Sequence, residues 1–211
     1  KQGKYQPGQT DAFLTHAFMN LSELYQRFGK NPESAAEHIL GMAIEMFDVT
    51  GGAILHHDIN DPGDQLLFKA ARGPKSEQLL EKPVKMGQGP VGICALLGVS
   101  LNIKNLAGEA RFAGGVLNEL GLDIGPIMCV PIHGDDWLQG VIALFKIKGS
   151  NVFTDSQLGI LEHVSATYGA FLKQARAADA RDSLPTLTDG LKTRADIPQK
   201  KRTKTLIPRS R

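Results

Sequence analysis

Two cysteines, a His-His-Asp run, a set of spaced aspartates and a terminal cluster of lysines and arginines are the side chains here whose types could do chemistry. A thiol acts as nucleophile or metal ligand only as thiolate, and apolar surroundings oppose that ionisation. Cys94 lies in VGICALLG and Cys129 in IGPIMCVPI. Both are therefore expected to be buried free thiols of a reducing, cytoplasmic compartment, with a redox sensor as the functional alternative. In His56-His57-Asp58, successive side chains on a strand point to opposite faces and cannot jointly grip one ion, so a strand end is expected and no metal site. Asp58, Asp61 and Asp64 are spaced like part of a calcium loop. Pro62 interrupts them and no bidentate glutamate follows at the required offset, which leaves a solvated turn. GQGPVG, residues 87–92, has spaced glycines but no helix-opening Lys-Ser and supports phosphate binding weakly.

The basic cluster is a matter of distribution. Residues 192–211 hold eight of the 24 basic side chains and a single acid, Asp196, leaving 16 basic against 21 acidic side chains in residues 1–191. The tail is about +7 and the body about −5, an asymmetry that suggests an appended arm with its own electrostatic partner. Lys200, Lys201, Arg202 and Lys204 would steer such docking, with Leu206 and Ile207 as apolar anchors. No aromatic residues interleave with these charges, so specific nucleic-acid binding is not expected; the arm is expected to dock on an acidic surface of its own dimer or of a partner protein, with a disordered linker as the alternative.

The elements that position these residues are legible as periodicity. Over 11–30 the apolar residues Leu14, Phe18, Leu21, Tyr25 and Phe28 step by four and three, which predicts one helical seam, with Phe13 and Leu24 off it. A second helix follows Asn31-Pro32, its apolar face Ile39, Leu40, Ala43, Ile44 and Phe47. GGAILHHDI and QLLFKAARG read as a hairpin. Residues 81–103 give glycines, a short apolar helix and a strand, and 106–121 give a loop and a short amphipathic helix. PIMCVPIHG and LQGVIALFKIK flank the turn GDDW as a second hairpin, with Trp137 at its tip. Thr154 and Gln157 then form a capping box for a helix running to about Asp182. Its stripe is Leu158, Leu161, Val164, Tyr168, Phe171, Leu172 and Ala175. Length favours one α/β (α+β) domain with extensions, and no window approaches the roughly 18 apolar residues of a membrane span. The expected divisions are a polar lead at 1–11, the domain at 12–176, helix end and linker at 177–191, and the basic tail.

Taken together, AARGP, GQGPVGICALLGVSLNI, EARF, CVPIHGDDWLQGVIALF and VFTDSQLGILEHVSATYGAFL resemble a GAF domain over about residues 12–176. The resemblance implies a central antiparallel sheet with the terminal helices on one face and short helices and loops on the other, any small molecule lying under the second cover. Arg111 and Phe112 fall in the loop that lids that pocket, and Cys94 and Cys129 would line it. Arg111 serves there either as ligand contact or in a structural ion pair.

The motifs of the chemically active family branches are incomplete. Members that bind cyclic nucleotides carry an Asn-Lys pair, a Phe and an Asp-Glu pair. Here Phe153 is kept, Lys146 or Lys148 lacks its Asn, and Gln157 and Leu158 replace the acids. No bilin-type Cys-His pair is present, and the 113–127 loop lacks the thiol of a free methionine sulfoxide reductase. The expectation is a non-enzymatic regulatory module with no required cofactor. It would form a homodimer through Leu14, Phe18, Leu21, Tyr25, Leu161 and Tyr168 and engage a protein partner. A nucleotide or metabolite receptor is the alternative.

Overall fold

The computed structural model describes residues 21–58, 64–112, 114–134 and 137–182. Leu14, Phe18, the Leu21 side chain, Asp61 and the whole basic tail, with Lys200, Lys201, Arg202 and Lys204, lie outside the described residues. Helix α1 (Leu21–Phe28) ends at Gly29, whose φ of 57° suits a residue without Cβ. Helix α2 (Pro32–Phe47) begins at Asn31, whose side chain accepts from the Ser34 N–H at 3.0 Å, and has proline at its first position.

Six strands follow: β1 (Gly51–His57), β2 (Gln65–Arg72), β3 (Val84–Lys85), β4 (Leu101–Ile103), β5 (Ile124–His133) and β6 (Leu138–Ile147). They form one antiparallel sheet in the order β3-β2-β1-β6-β5-β4. Helix α3 (Ser76–Leu80), α4 (Gly89–Leu97) and α5 (Val116–Glu119) lie in the connections on one face, and α6 (Asp155–Asp182) closes the fold on the other. The capping box forms as the sequence predicts. The Gln157 N–H donates to Thr154 Oγ1 at 3.2 Å, and the Thr154 N–H donates to Gln157 Oε1 at 2.9 Å.

Period-2 alternation sorts the strand residues into two cores. Ile54, Ala70, Met128, Val130, Ile142 and Leu144 face α2 and α6. Leu55, Leu66, Ile127, Cys129, Val141 and Phe145 face the short helices. The expectation of one helical cover and one cover of short helices and loops therefore holds.

The dimer seam needs correction. Leu161 and Tyr168 are both 0% exposed and sit in the first core beside Phe171 and Leu172, so neither can face another subunit. Leu24, read as lying off the seam, is buried in this core, while Tyr25 is half-buried against it. The physical reason is a third helix on this face. Because α1 packs on both α2 and α6, apolar residues that exceed one sheet-facing stripe are enclosed within the monomer.

Candidate functional site

The space beneath residues 86–125 is where a pocket is expected, and apolar side chains of the sheet and of its cover pack together there. Leu55, Val141, Ala143 and Phe145 of the sheet meet Val91, Cys94, Ala95, Phe112, Val116 and Leu117 from above. All are buried, and the cluster includes both free thiols. Burial pushes the Cys94 thiol up to about 12, and burial followed by the neighbouring Cys94 raises Cys129 well above the ordinary thiol range. Both stay protonated at physiological pH, which removes the reactive thiolate that redox chemistry needs.

Arg111 and Phe112 part company. Phe112 is buried in this core, whereas the Arg111 side chain is 70% exposed. The guanidinium lies 4.7 Å from the centre of the Phe112 ring and donates from Nε to the Glu109 carboxylate at 3.1 Å. It faces outward, so of the two roles open to Arg111 the geometry provides the ion pair.

The opposite face carries the polar network that the sequence did not reveal. His56 and His57 point to opposite faces, as strand alternation requires. The Tyr168 hydroxyl donates to the Pro32 carbonyl oxygen at 2.9 Å, and its single proton is thereby committed. It must accept from His56 Nε2–H, also at 2.9 Å, which fixes the Nε2-protonated tautomer of His56. Burial first, then the charges of Lys69 and Arg176, lowers the His56 pKa to about 4. His57 instead meets the Asp64 carboxylate at 2.7 Å and the Leu138 carbonyl oxygen at 3.3 Å. Gln139 is the extra residue at a register slip between Ile132 and His133, and the resulting bulge brings its amide onto α6. There it donates to the carbonyl oxygens of His133 and Gly169 at 3.2 and 3.1 Å. Ser165 adds a bond to Pro131 O at 2.8 Å. This network ties β1, β5, β6, the α2 start and α6 together.

An open cleft lies at the rim, between edge strand β3 and α5, with a volume of about 470 Å³. Lys82 spans it to Glu119 at 3.0 Å.

A family model described as GAF domain matches residues 29–173, more than half of the chain. The chain belongs to the GAF family. Solved GAF domains share its architecture. The GAF domain of an Acinetobacter phosphoenolpyruvate-protein phosphotransferase is 16% identical, with a TM-score of 0.62 over 74% of this chain and 92% of that one. The GAF-B domain of DevS from Mycobacterium smegmatis is 14% identical, with a TM-score of 0.58 over 72% and 100%. A free methionine-R-sulfoxide reductase from Neisseria meningitidis, solved with its substrate, is 13% identical, with a TM-score of 0.61 over 77% and 91%. At such identities the likeness is one of fold. No curated protein matches the chain. Regulatory and sensory roles are general in this family. Among the described residues, no helix of this GAF domain is long and apolar enough to cross a membrane.

The positions that matter for cyclic nucleotides in this family have structural duties here. Phe153 is buried with the Lys146 ammonium 4.9 Å from its ring centre, and Gln157 closes the capping box. Calorimetry with cyclic AMP and cyclic GMP should detect no binding at a Kd of about 1 μM or tighter. A micromolar isotherm would show that another set of residues builds that site.

Proposed function

We propose that this GAF domain is a non-enzymatic regulatory module that works through protein contacts. It self-associates through its terminal helices and passes its state to a partner along α6. The observation that carries this reading is the apolar packing of the sheet against the short helices where a pocket ligand would lie, with two buried, protonated thiols within it. Such a layer resembles a domain core.

The output side is α6. Its 28 residues span about 42 Å, and none of its residues between Arg176 and Asp182 is buried, so its last two turns project beyond the sheet as a stiff arm. Lys30 fastens the α1–α2 turn to this arm by ion pairs with Asp182 and, at 3.7 Å, Asp179. With Leu161 and Tyr168 enclosed, the self-association seam falls to Leu14, Phe18, Leu21 and the outer face of α6, where Ala166, Ala170 and Ala177 are exposed. Small side chains at helical spacing allow a second helix to approach closely. The basic residues Lys200, Lys201, Arg202 and Lys204 supply the electrostatic attraction for an acidic partner.

Light scattering should find the wild-type chain as a dimer at micromolar concentration and the double variant Phe18→Asp, Leu21→Asp as a monomer with an unchanged circular dichroism spectrum. A wild-type monomer under those conditions rejects self-association. A variant that remains dimeric rejects this seam.

A further inference from the structure

We propose that the rim cleft between β3 and α5 is a binding site for a small monocarboxylate with a short apolar body. Its volume of about 470 Å³ falls within the range of small-molecule sites, about 300–1,000 Å³. Pro83, Val84 and Val116 give it an apolar side, and Lys82, Lys85, Gln88 and Glu119 supply the polar groups. That mixture of apolar wall and few polar groups is what orients a ligand carrying one charged end.

The charge count selects the class. Lys82 is neutralised by Glu119 at 3.0 Å, whereas the Lys85 ammonium has no partner among the described residues. One positive charge is left over, which a single carboxylate balances and a dianion overshoots. Gln88 precedes α4 without capping it through its side chain, so its amide is available to the second carboxylate oxygen or to a neighbouring polar group.

The walls of the cleft are held in place independently of any ligand. Lys82 reaches Glu119, and the Lys75 ammonium donates to the Leu120 carbonyl oxygen, so both contacts clamp the end of α5 to the α3–β3 segment. Gly115 closes the cleft against Gly89. A Cβ on Gly115 would come within 3.4 Å of the Gly89 backbone, and its φ of 81° further favours glycine. The site goes beyond the protein-contact function and does not depend on it. It offers a point at which a metabolite can alter how α5 sits on the sheet.

Glu119 gives the proposal its sharpest consequence. A bound carboxylate competes with Glu119 for Lys82, so removing that competitor should strengthen binding. The probes are butyrate and, as cationic control, butylamine, each titrated at constant ionic strength into the isotopically labelled full chain while backbone amide shifts are followed. Butyrate should give saturable shifts confined to residues 82–89 and 114–120, and butylamine none. Lys85→Met should abolish saturation, and Glu119→Gln should lower the apparent Kd by about twofold to fivefold, the worth of one exposed ion pair. Butyrate shifts that never saturate, or that persist in Lys85→Met, overturn the site. Weaker binding in Glu119→Gln overturns the ligand class, since Glu119 would then be holding a cationic group. Both variants change exposed side chains, and an unshifted spectrum elsewhere confirms that they fold.

Discussion

Gly140→Ala should lower the stability of the domain by about 3–5 kcal/mol, a large part of the 5–15 kcal/mol typical of a natural domain. Gly140 stands opposite His56 on β1 and Ile132 on β5, so it belongs to the two central ladders of the sheet. A Cβ there would lie 1.9 Å from the Leu55 carbonyl oxygen and 3.1 Å from the His56 Cα. These are backbone atoms, and no rotamer change can move them away. Relief requires β1 and β6 to separate, which breaks their hydrogen bonds and opens both cores at once. Gly159→Ala is the matched control, because Gly159 lies exposed on α6 with nothing within 4 Å of the added carbon. It should stabilise by about 0.5–1 kcal/mol through helix propensity alone. Urea denaturation of both variants reads the difference. A loss under about 1 kcal/mol at Gly140 would mean that the strands accommodate a methyl group and that their close approach is not a constraint.

This glycine also shows what could be read in advance. The stretch VPIHGDDWLQGVIAL announces a hairpin and a close approach where its second strand begins, because a turn signal and a strand-interior glycine have local causes. The two helical faces, the capping box and both hairpins were legible for the same reason. Edge strand β3 and helix α3 were not. Two residues of strand and five of helix carry no period, and they exist only because Val84 and Leu79 can enter the second core. How the first helix packs between the other two on the first face was equally hidden. Periodicity shows that Leu161 and Tyr168 share a stripe without showing whether sheet, helix or a second subunit covers it. Gln139 was invisible because a bulge, set by pairing with another strand, turns a residue toward a face that alternation assigns elsewhere. Of the candidate site, the burial of both cysteines was readable from their apolar neighbours. The rim cleft was not, since Lys82 and Glu119 meet across 37 residues of sequence.

The buried network on the other face makes stability depend on pH. His56 has its pKa held at about 4 in the folded chain against an ordinary 6.5. A lowered folded value means that the unfolded chain binds the proton more readily, so stability is fully present above about pH 6.5 and falls as pH drops through the window down to about 4. The whole shift corresponds to about 3 kcal/mol, of which about 2–3 kcal/mol should be lost by about pH 4.5. Burial is the main cause, and the Lys69 and Arg176 charges act in the same direction. His38 is also lowered, first by burial and then by Arg27 and Arg72, and adds a loss of the same sign. Carboxylates titrate nearby in pH, so the contribution of His56 is isolated by comparison with His56→Gln. That variant should lose about 2–3 kcal/mol less than wild type between about pH 7 and pH 4.5 in urea unfolding. Tyr168→Phe tests the same network at neutral pH. It leaves the His56 N–H and the Pro32 carbonyl without their hydroxyl and should cost about 1–3 kcal/mol. If His56→Gln does not fold, the His56 ring can be titrated directly by NMR in the wild-type chain. A midpoint near 6.5, or equal acid sensitivity in wild type and His56→Gln, would show that His56 reaches solvent and that the Tyr168 bond does not hold it neutral.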